Sequence, residues 1–214
     1  MLLSKCNFIF WSIQPFQKNT HLIIRQPVRM ELAEILRECK TNGITAQKCL
    51  YDRYARMVFL FCRRYLRTNE LAEECMMNGF LKIYDGLKSF EYHSESASMA
   101  WMKKILLNEC LQELRKKERF MLVSEDLAEE MTTDDSAIDM LSAEELFKLI
   151  TKLPIGYRTV FNLYAVEGFK HVEIGKELGI SEGTSKSQLN KARALLQQML
   201  LAENKEWYVS RKSK

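Results

Sequence analysis

The polar side chains best suited to contact a nucleic acid follow a turn at Gly179. Before this turn, Ile174 and Leu178 give the apolar stripe of one helix, and after it Ser181 can cap a second helix. The second predicted helix exposes seven polar or basic residues, namely Thr184, Lys186, Ser187, Gln188, Asn190, Lys191 and Arg193. A major groove admits one helix, whose early residues meet base edges. The stretch therefore predicts a helix-turn-helix that reads a DNA sequence.

Several local features favour this interpretation over an ordinary helical hairpin that binds nothing. Gly175 lets the two helices approach closely, and Gly179 supplies the positive backbone angle that the turn requires. Ile180 fills the corner, and Gly183 keeps the first turn of the second helix slim. The unpaired N–H groups at that helix start suit a phosphate. The alternative is a helical hairpin that binds nothing. Such a hairpin would not need all of these features together.

A second candidate surface lies on the polar face of an earlier helix, predicted to run from Met99 to about residue 119. This face consists of Lys103, Lys104, Asn108, Gln112, Arg115, Lys116 and Arg119. Its amides lie one helical turn apart and can hydrogen-bond base edges, while its cations suit phosphates. The preceding segment 90–98 is predicted as a loop, and its rings, Phe90, Tyr92 and His93, can stack on an unpaired base. A merely solvated helix face is the alternative, and Trp101 fits the core better than a stacking platform.

Composition and periodicity predict that helices position both surfaces. The 214 residues are 47% hydrophobic but include only 8 Gly and 3 Pro, too little turn chemistry for a many-stranded sandwich or barrel. In residues 30–120, apolar spacings of three and four predict four helices, the third of them capped by Asn69. In residues 142–201, Ser142 and Glu145 form a capping box, and Pro154 can start the next helix. The fold class is therefore all-α, with two small helical domains.

The charge distribution predicts that an acidic linker joins these two domains. Residues 30–120 hold 16 basic and 13 acidic side chains, residues 121–150 hold one Lys and nine acids, and residues 151–214 hold 11 basic and 6 acidic side chains. Because dense like charge resists compaction, we expect a flexible linker at 121–141. A polyanion that occupies a basic channel of a partner is the alternative. Residues 202–214 are interpreted as a basic tail.

The first 29 residues are predicted to be a disordered extension or a wrongly assigned start. They carry four basic residues and no acid, and a clean helical pattern begins only at Met30. The uncharged run from residue 6 to residue 17 is too short to span a bilayer. It also lacks the cleavage site of a signal peptide, so no membrane insertion is expected.

The cysteines and histidines predict neither a metal site nor a cofactor site. The six cysteines form no CxxC pair, and the three histidines lie far from them in sequence. Four of the six lie in apolar helical patterns, where a free cysteine is a common core residue, so reduced thiols and a cytoplasmic location are expected. No phosphate-cradling glycine loop and no catalytic triad is present, which argues against an enzyme.

Four stretches follow the sequence patterns of one known family. Residues 173–193 resemble E-I-A-x-x-L-G-[IV]-[ST]-x-G-T-V-K-S-R-x-x-R-A-R, and residues 153–161 resemble L-P-x-x-x-R-x-V-F. Residues 72–83 resemble A-E-D-x-x-Q-E-x-F-x-K-[VI], and residues 101–116 resemble A-W-L-x-x-I-A-x-N-x-x-x-D-x-L-R-[KR]. From about residue 30 to residue 201, the chain resembles the extracytoplasmic-function (ECF) RNA polymerase sigma factors, in a Bacteroidetes-like form.

The resemblance implies a dissociable promoter-specificity subunit without a cofactor. Residues 30–120 would be sigma region 2 and residues 142–201 sigma region 4. The recognition helix, which would start at Ser181, would read the upstream (−35) box. Residues 90–119 would engage the start-proximal (−10) box and hold a flipped base. Residues 71–88 would dock on the β′ clamp helices of core RNA polymerase through Glu73, Glu74, Met77, Asn78, Leu81, Lys82 and Asp85. An anti-sigma factor is a further expected partner.

This sequence departs from the family pattern at several positions. Gly175 replaces an Ala and Ser185 replaces a Val, while Gln188 replaces an Arg and so removes one phosphate or guanine contact. Met77 and Asn78 replace a Gln–acid pair on the polymerase-binding face, and Gln112 replaces an Asp. We therefore expect the promoter sequence and the polymerase contacts to differ in detail.

Two other classes of function fit the sequence less well. A stand-alone helix-turn-helix regulator would share the second domain, but it explains neither the 108–119 face nor the acidic segment. A small hydrolase or transferase with a helical lid would need a catalytic constellation that the sequence lacks. The 28 basic and 28 acidic side chains of residues 30–214 also offer little non-specific attraction to DNA, which favours dependence on a larger basic partner.

Overall fold

The computed structural model describes residues 31–41, 43–116 and 143–212, with side chains from residue 144 to residue 202 in the last range. The predictions for residues 1–29, the 121–141 linker, Arg119 and the Ser142 cap lie outside these residues. The described residues form helices and no strand, so the predicted all-α class is confirmed. The chain forms two compact units, of which the first ends at Glu113 and the second begins at Leu114.

The first unit contains α1 (Leu32–Lys40), α2 (Ile44–Tyr65), α3 (Asn69–Gly86) and all but the last three residues of α4 (Glu95–Lys116). Helix α2 packs on both α1 and α3. Aromatic rings tie α2 to α3, because the ring centroids of Tyr51 and Phe80 lie 5.0 Å apart. The Tyr84 hydroxyl also donates to the carbonyl oxygen of Gln47 at 2.9 Å. Both contacts join the start of α2 to the end of α3 and hold that end of the pair together.

Two glycines on α3 leave room for large side chains of α4. A Cβ atom at Gly86 would lie 2.9 Å from Cζ2 of Trp101, and a Cβ at Gly79 would collide with the Leu106 side chain. Trp101 is half-buried, and its ring stacks on that of Phe90 at a centroid distance of 4.3 Å. Trp101 thus packs within its own unit, as the sequence indicated.

Two helix starts differ from the sequence-based expectation, and both differences come from caps. Helix α4 begins at Glu95 rather than at Met99, because Ser94 Oγ accepts a hydrogen bond from the N–H of Ala97 at 3.1 Å. Residues 95–98 are therefore helical, and the predicted loop shrinks to 90–94. The cap of α3 is Thr68 rather than Asn69, since Thr68 Oγ1 accepts from the N–H of Leu71 at 3.3 Å.

The middle of the first unit holds three buried cysteines, one from each of its three longest helices. The Sγ atoms of Cys62, Cys75 and Cys110 all lie within 4.8 Å of one another, and the last two are 3.8 Å apart. Thiol hydrogen bonds from Cys110 and Cys62 lower the pKa of Cys75 to about 5. Burial raises the pKa of Cys110 well above its ordinary value. Sequence spacing did not indicate this cluster.

The second unit contains α5 (Ala143–Lys152), α6 (Ile155–Phe161), a π-helical turn (Asn162–Val166), α7 (His171–Leu178) and α8 (Glu182–Lys212). Pro154 precedes the first turn of α6 as predicted. Helix α8 packs on α5, α6 and α7, and its backbone continues through most of the residues interpreted as a basic tail. Fully buried Arg158 donates from Nη1 to the carbonyl oxygen of Thr151 at 3.0 Å, which links α6 to α5.

Candidate nucleic-acid interface

The turn between α7 and α8 has the geometry that its glycines predict. Gly179 has a φ of 69°, in the left-handed region that favours glycine. The N–H of Ile180 donates to the carbonyl oxygen of Gly175 at 3.1 Å. A Cβ atom at Gly175 would lie only 2.8 Å from the carbonyl oxygen of Ile180. The close approach predicted for Gly175 is therefore real, and the nearest group is the backbone of the turn.

Both helices that flank the turn have a side-chain cap at their start. Ser181 Oγ accepts from the N–H of Thr184 at 2.9 Å, as predicted for an N-cap. The two hydroxyl oxygens of these residues are also 2.8 Å apart, so the Thr184 hydroxyl has an intramolecular partner. At the start of α7, Glu173 Oε2 accepts from the N–H of Lys170 at 2.7 Å. The Ser181 hydroxyl therefore satisfies one N–H group in the first turn of α8, and the Glu173 carboxylate does the same at the start of α7.

The outer face of α8 carries every residue that the sequence assigned to it. Thr184, Lys186, Ser187 and Asn190 are exposed, and Gln188, Lys191 and Arg193 are half-buried. Lys186 Nζ pairs with Glu182 Oε1 at 2.7 Å, and this pair lowers the pKa of the Glu182 carboxyl. The face is polar and mostly exposed, as a helix that enters a major groove requires.

A polar pair that sequence reasoning missed lies behind this face. Ser185 is fully buried, and its Oγ lies 2.9 Å from Nδ1 of His171. The His171 ring stacks on Tyr164 with centroids 4.5 Å apart. Burial lowers the pKa of His171, and the positive charges of Lys186 and Arg193 lower it further. The sequence signal for this pair is Ser185, which stands where the family pattern has Val. A buried hydroxyl needs a polar partner, so a serine at this position predicts one nearby.

The second candidate surface is spread along α4. Lys104, Asn108, Gln112, Arg115 and Lys116 are exposed, and Lys103 is half-buried. Most of them follow each other at helical spacings of three and four, so they form one continuous polar stripe. We call these residues the α4 stripe.

The loop 90–94 that precedes this stripe is anchored at both ends. Phe90 stacks on Trp101 at one end, and Ser94 caps α4 at the other. Between these anchors, Tyr92 is 43% exposed and His93 is exposed. The structure therefore presents the rings of Tyr92 and His93 outward, while one face of the Phe90 ring is covered.

A third exposed face runs along α3. All seven residues that the sequence assigned to polymerase binding are exposed, namely Glu73, Glu74, Met77, Asn78, Leu81, Lys82 and Asp85. Met77 is 49% and Leu81 is 62% exposed, so two large apolar side chains stand one turn apart on this surface. Lys82 forms an ion pair with Glu109 of α4, and the Lys88 ammonium beside Asp85 lowers the pKa of that carboxyl. We call these seven residues the α3 stripe.

Comparison with protein-family models places both units in one family. The model of sigma-70 region 2 matches residues 50–120, and the model of sigma-70 region 4 matches residues 143–196. These two matches cover the α3 and α4 stripes and the helix-turn-helix. The chain therefore belongs to the sigma-70 family.

Curated relatives narrow the class further. The ECF RNA polymerase sigma factor SigW of Bacillus subtilis is 24% identical over 81% of this chain and 98% of its own length. The ECF RNA polymerase sigma factor SigM of Mycobacterium tuberculosis is 26% identical over 71% of this chain and 75% of its own length. Within the family, this protein is an ECF RNA polymerase sigma factor.

A solved structure, titled "Structure of CnrH in complex with the cytosolic domain of CnrY", matches 78% of this chain and 96% of that chain. The sequence identity is 18% and the TM-score is 0.42. Separately, none of the helices in the described part of the chain combines the length and apolar character needed to cross a membrane.

Proposed function

We propose that this sigma factor directs initiation by dividing three tasks among the three exposed faces. The α3 stripe binds the β′ clamp helices of core RNA polymerase. The α4 stripe and the 90–94 loop engage the start-proximal box, and the outer face of α8 reads the upstream box. Residues 30–120 serve as region 2, residues 121–141 as a linker and residues 142–201 as region 4, with residues 1–29 as an extension.

The observation that carries the proposal is the exposed apolar pair on α3. Met77 and Leu81 lie one turn apart on a face that is otherwise polar and largely acidic. Large apolar residues exposed together mark interaction surfaces in soluble proteins. The flanking acids Glu73 and Asp85 favour a basic partner surface through charge complementarity.

The start-proximal contact rests on the chemistry of the α4 stripe. Opening a promoter requires a base to leave the stack, which costs a few kcal/mol. Stacking a base on an aromatic ring returns about 1–3 kcal/mol. The exposed rings of Tyr92 and His93 precede the first turn of the helix that carries the stripe and are the groups suited to this exchange.

Membership of the ECF group also leads us to propose an anti-sigma factor that masks one or more of these faces. By the same reasoning, the protein acts in the cytoplasm, associated with the nucleoid through RNA polymerase. No catalytic role is part of the proposal. The alternative of a stand-alone helix-turn-helix regulator predicts operator binding without polymerase.

The test combines a polymerase-binding assay with run-off transcription. Leu81→Glu places a charge in the apolar pair and is expected to reduce affinity for core polymerase at least about tenfold. Ile44→Glu is the matched control, since Ile44 is 82% exposed in the same unit but lies on α2. Equal affinities of the two variants would remove the α3 stripe from the polymerase interface. Failure of the wild-type chain to give core enzyme any new start-site selectivity would refute the whole proposal.

A further inference from the structure

The cysteine cluster of the first unit has no part in the function proposed above. Cys62 comes from α2, Cys75 from α3 and Cys110 from α4, and their Sγ atoms lie within 4.8 Å of one another. All three side chains are buried, with exposed fractions of 0%, 4% and 0%. None of the described cysteines forms a disulfide. Three helices thus present three free thiols to one point in the core.

The spacing of the three sulfur atoms suits one metal ion at their centre. A metal–thiolate bond is about 2.3 Å long, so three sulfurs around a trigonal ion lie about 4.0 Å apart. The Sγ atoms of Cys75 and Cys110 are 3.8 Å apart, and the remaining separations do not exceed 4.8 Å. Small adjustments of the side chains would therefore complete a trigonal site without moving the helices.

The donor set selects the kind of ion. Thiolates are soft ligands that prefer Cu(I) or Zn(II), whereas hard cations such as Mg²⁺ and Ca²⁺ take oxygen ligands. Structural Zn(II) is almost always bound by four ligands. Within the described residues, no His, Asp or Glu joins the three cysteines as a fourth ligand. A buried set of three thiolates therefore favours a soft ion that accepts three ligands.

We propose that Cys62, Cys75 and Cys110 bind one Cu(I) ion in the core of region 2. Binding forms three Cu–S bonds, each cysteine that is still a thiol loses its proton to solvent, and no electron is transferred. The complex carries a net charge of minus two. The buried guanidinium of Arg64, on the same helix as Cys62, supplies a positive charge that acts on this cysteine and offsets part of that charge.

Occupancy of the site would join α2, α3 and α4. Two of these helices carry the α3 and α4 stripes, so bound metal would stabilise the unit that presents both surfaces. Because the folded unit brings the three thiols together and the unfolded chain leaves them apart, the ion should bind the folded unit more tightly, and this difference in binding free energy adds to the stability of the fold.

The experiment is an anaerobic titration of the full-length reduced protein with Cu(I), in competition with a chromophoric Cu(I) chelator. Wild-type protein is expected to take one Cu(I) per chain from the chelator, and Cys75→Ala and Cys110→Ala are expected to lose this binding. Cys39→Ala is the matched control, because Cys39 is equally buried but lies on α1, outside the cluster. It should bind Cu(I) as the wild type does.

Further measurements test the copper site even if an alanine variant is destabilised. Far-UV circular dichroism checks that each variant is folded, and the melting temperature of wild type and Cys39→Ala should rise when Cu(I) is added. X-ray absorption at the copper edge should show three sulfur neighbours at about 2.3 Å. No competitive binding by the wild type, equal binding by Cys75→Ala, or a copper site with nitrogen or oxygen neighbours would each overturn the proposal.

Discussion

Gly175 provides a sharp test of how the helix-turn-helix is packed, because the family pattern that residues 173–193 resemble has Ala at this position. A Cβ at this position would lie 2.8 Å from the carbonyl oxygen of Ile180, a backbone atom that cannot rotate away. The same turn contains the hydrogen bond from Ile180 N–H to Gly175 O at 3.1 Å. An added methyl group must therefore push the turn away from α7 or break this bond.

The expected magnitude follows from two opposing effects of Gly175→Ala. Overpacking costs about 1–3 kcal/mol. Replacing Gly by Ala inside a helix returns about 1 kcal/mol. The net change is a loss of up to about 2 kcal/mol in the stability of the second unit. Gly183→Ala is the matched control, since its Cβ would lie 3.6 Å from Ser181 Oγ, an ordinary contact.

The assay is hydrogen exchange of the full-length protein, followed in peptides from α7 and α8 at increasing denaturant. Gly183→Ala should leave the unfolding free energy of these peptides unchanged or raised, while Gly175→Ala should lower it. The difference between the two variants isolates the steric effect, because both gain helix propensity. If Gly175→Ala is as stable as Gly183→Ala, the tight packing of the turn is refuted.

Three further predictions concern the nucleic-acid surfaces. Lys191→Ala should weaken upstream-box binding of the holoenzyme by about 1–3 kcal/mol if Lys191 reads a base; Lys152→Ala on α5 is the control, and equal promoter affinity of the two variants would exclude that role. Asn108→Ala should impair promoter opening, measured by permanganate reactivity, and should leave polymerase binding intact; normal opening would remove Asn108 from the interface. Because the folded-state pKa of His171 is lowered, the second unit should keep its full stability above the ordinary value of 6.5 and lose stability as the pH falls below it; His171→Gln should flatten this dependence in hydrogen exchange, and an unchanged pH profile would contradict it.

The helix-turn-helix could be predicted from sequence because its determinants are local. Gly179 and Ser181 act on their own backbone or on residues two or three positions away, so their types reveal the turn and the cap. The predicted start of α4 was wrong, and the reason for this error is also local. Of the serines in 94–98, the pattern did not show that Ser94 would be the cap, and only the hydrogen bond from Ala97 identifies it.

The cysteine cluster and the His171–Ser185 pair could not be predicted in the same way, because they depend on packing between helices. Cys75 and Cys110 are 35 residues apart, and nothing in their spacing indicates that their sulfur atoms meet. His171 and Ser185 lie on different helices and meet only because the turn at Gly179 folds α7 against α8. Contacts of this kind follow from the three-dimensional fold rather than from any short motif.

Local ion pairs strengthen the argument that this protein needs polymerase to bind a promoter. On α8, Lys186 is paired with Glu182, and on the first unit Lys82 is paired with buried Glu109. Each pair reduces the positive charge available to a phosphate, in a chain whose residues 30–214 already hold equal numbers of basic and acidic side chains. On the function proposed above, low non-specific affinity would keep the free subunit off genomic DNA, and specific contacts would become sufficient only when polymerase holds both regions on one promoter. The salt dependence of promoter binding by the isolated chain should therefore be shallow, and a steep dependence would show that its own charges suffice.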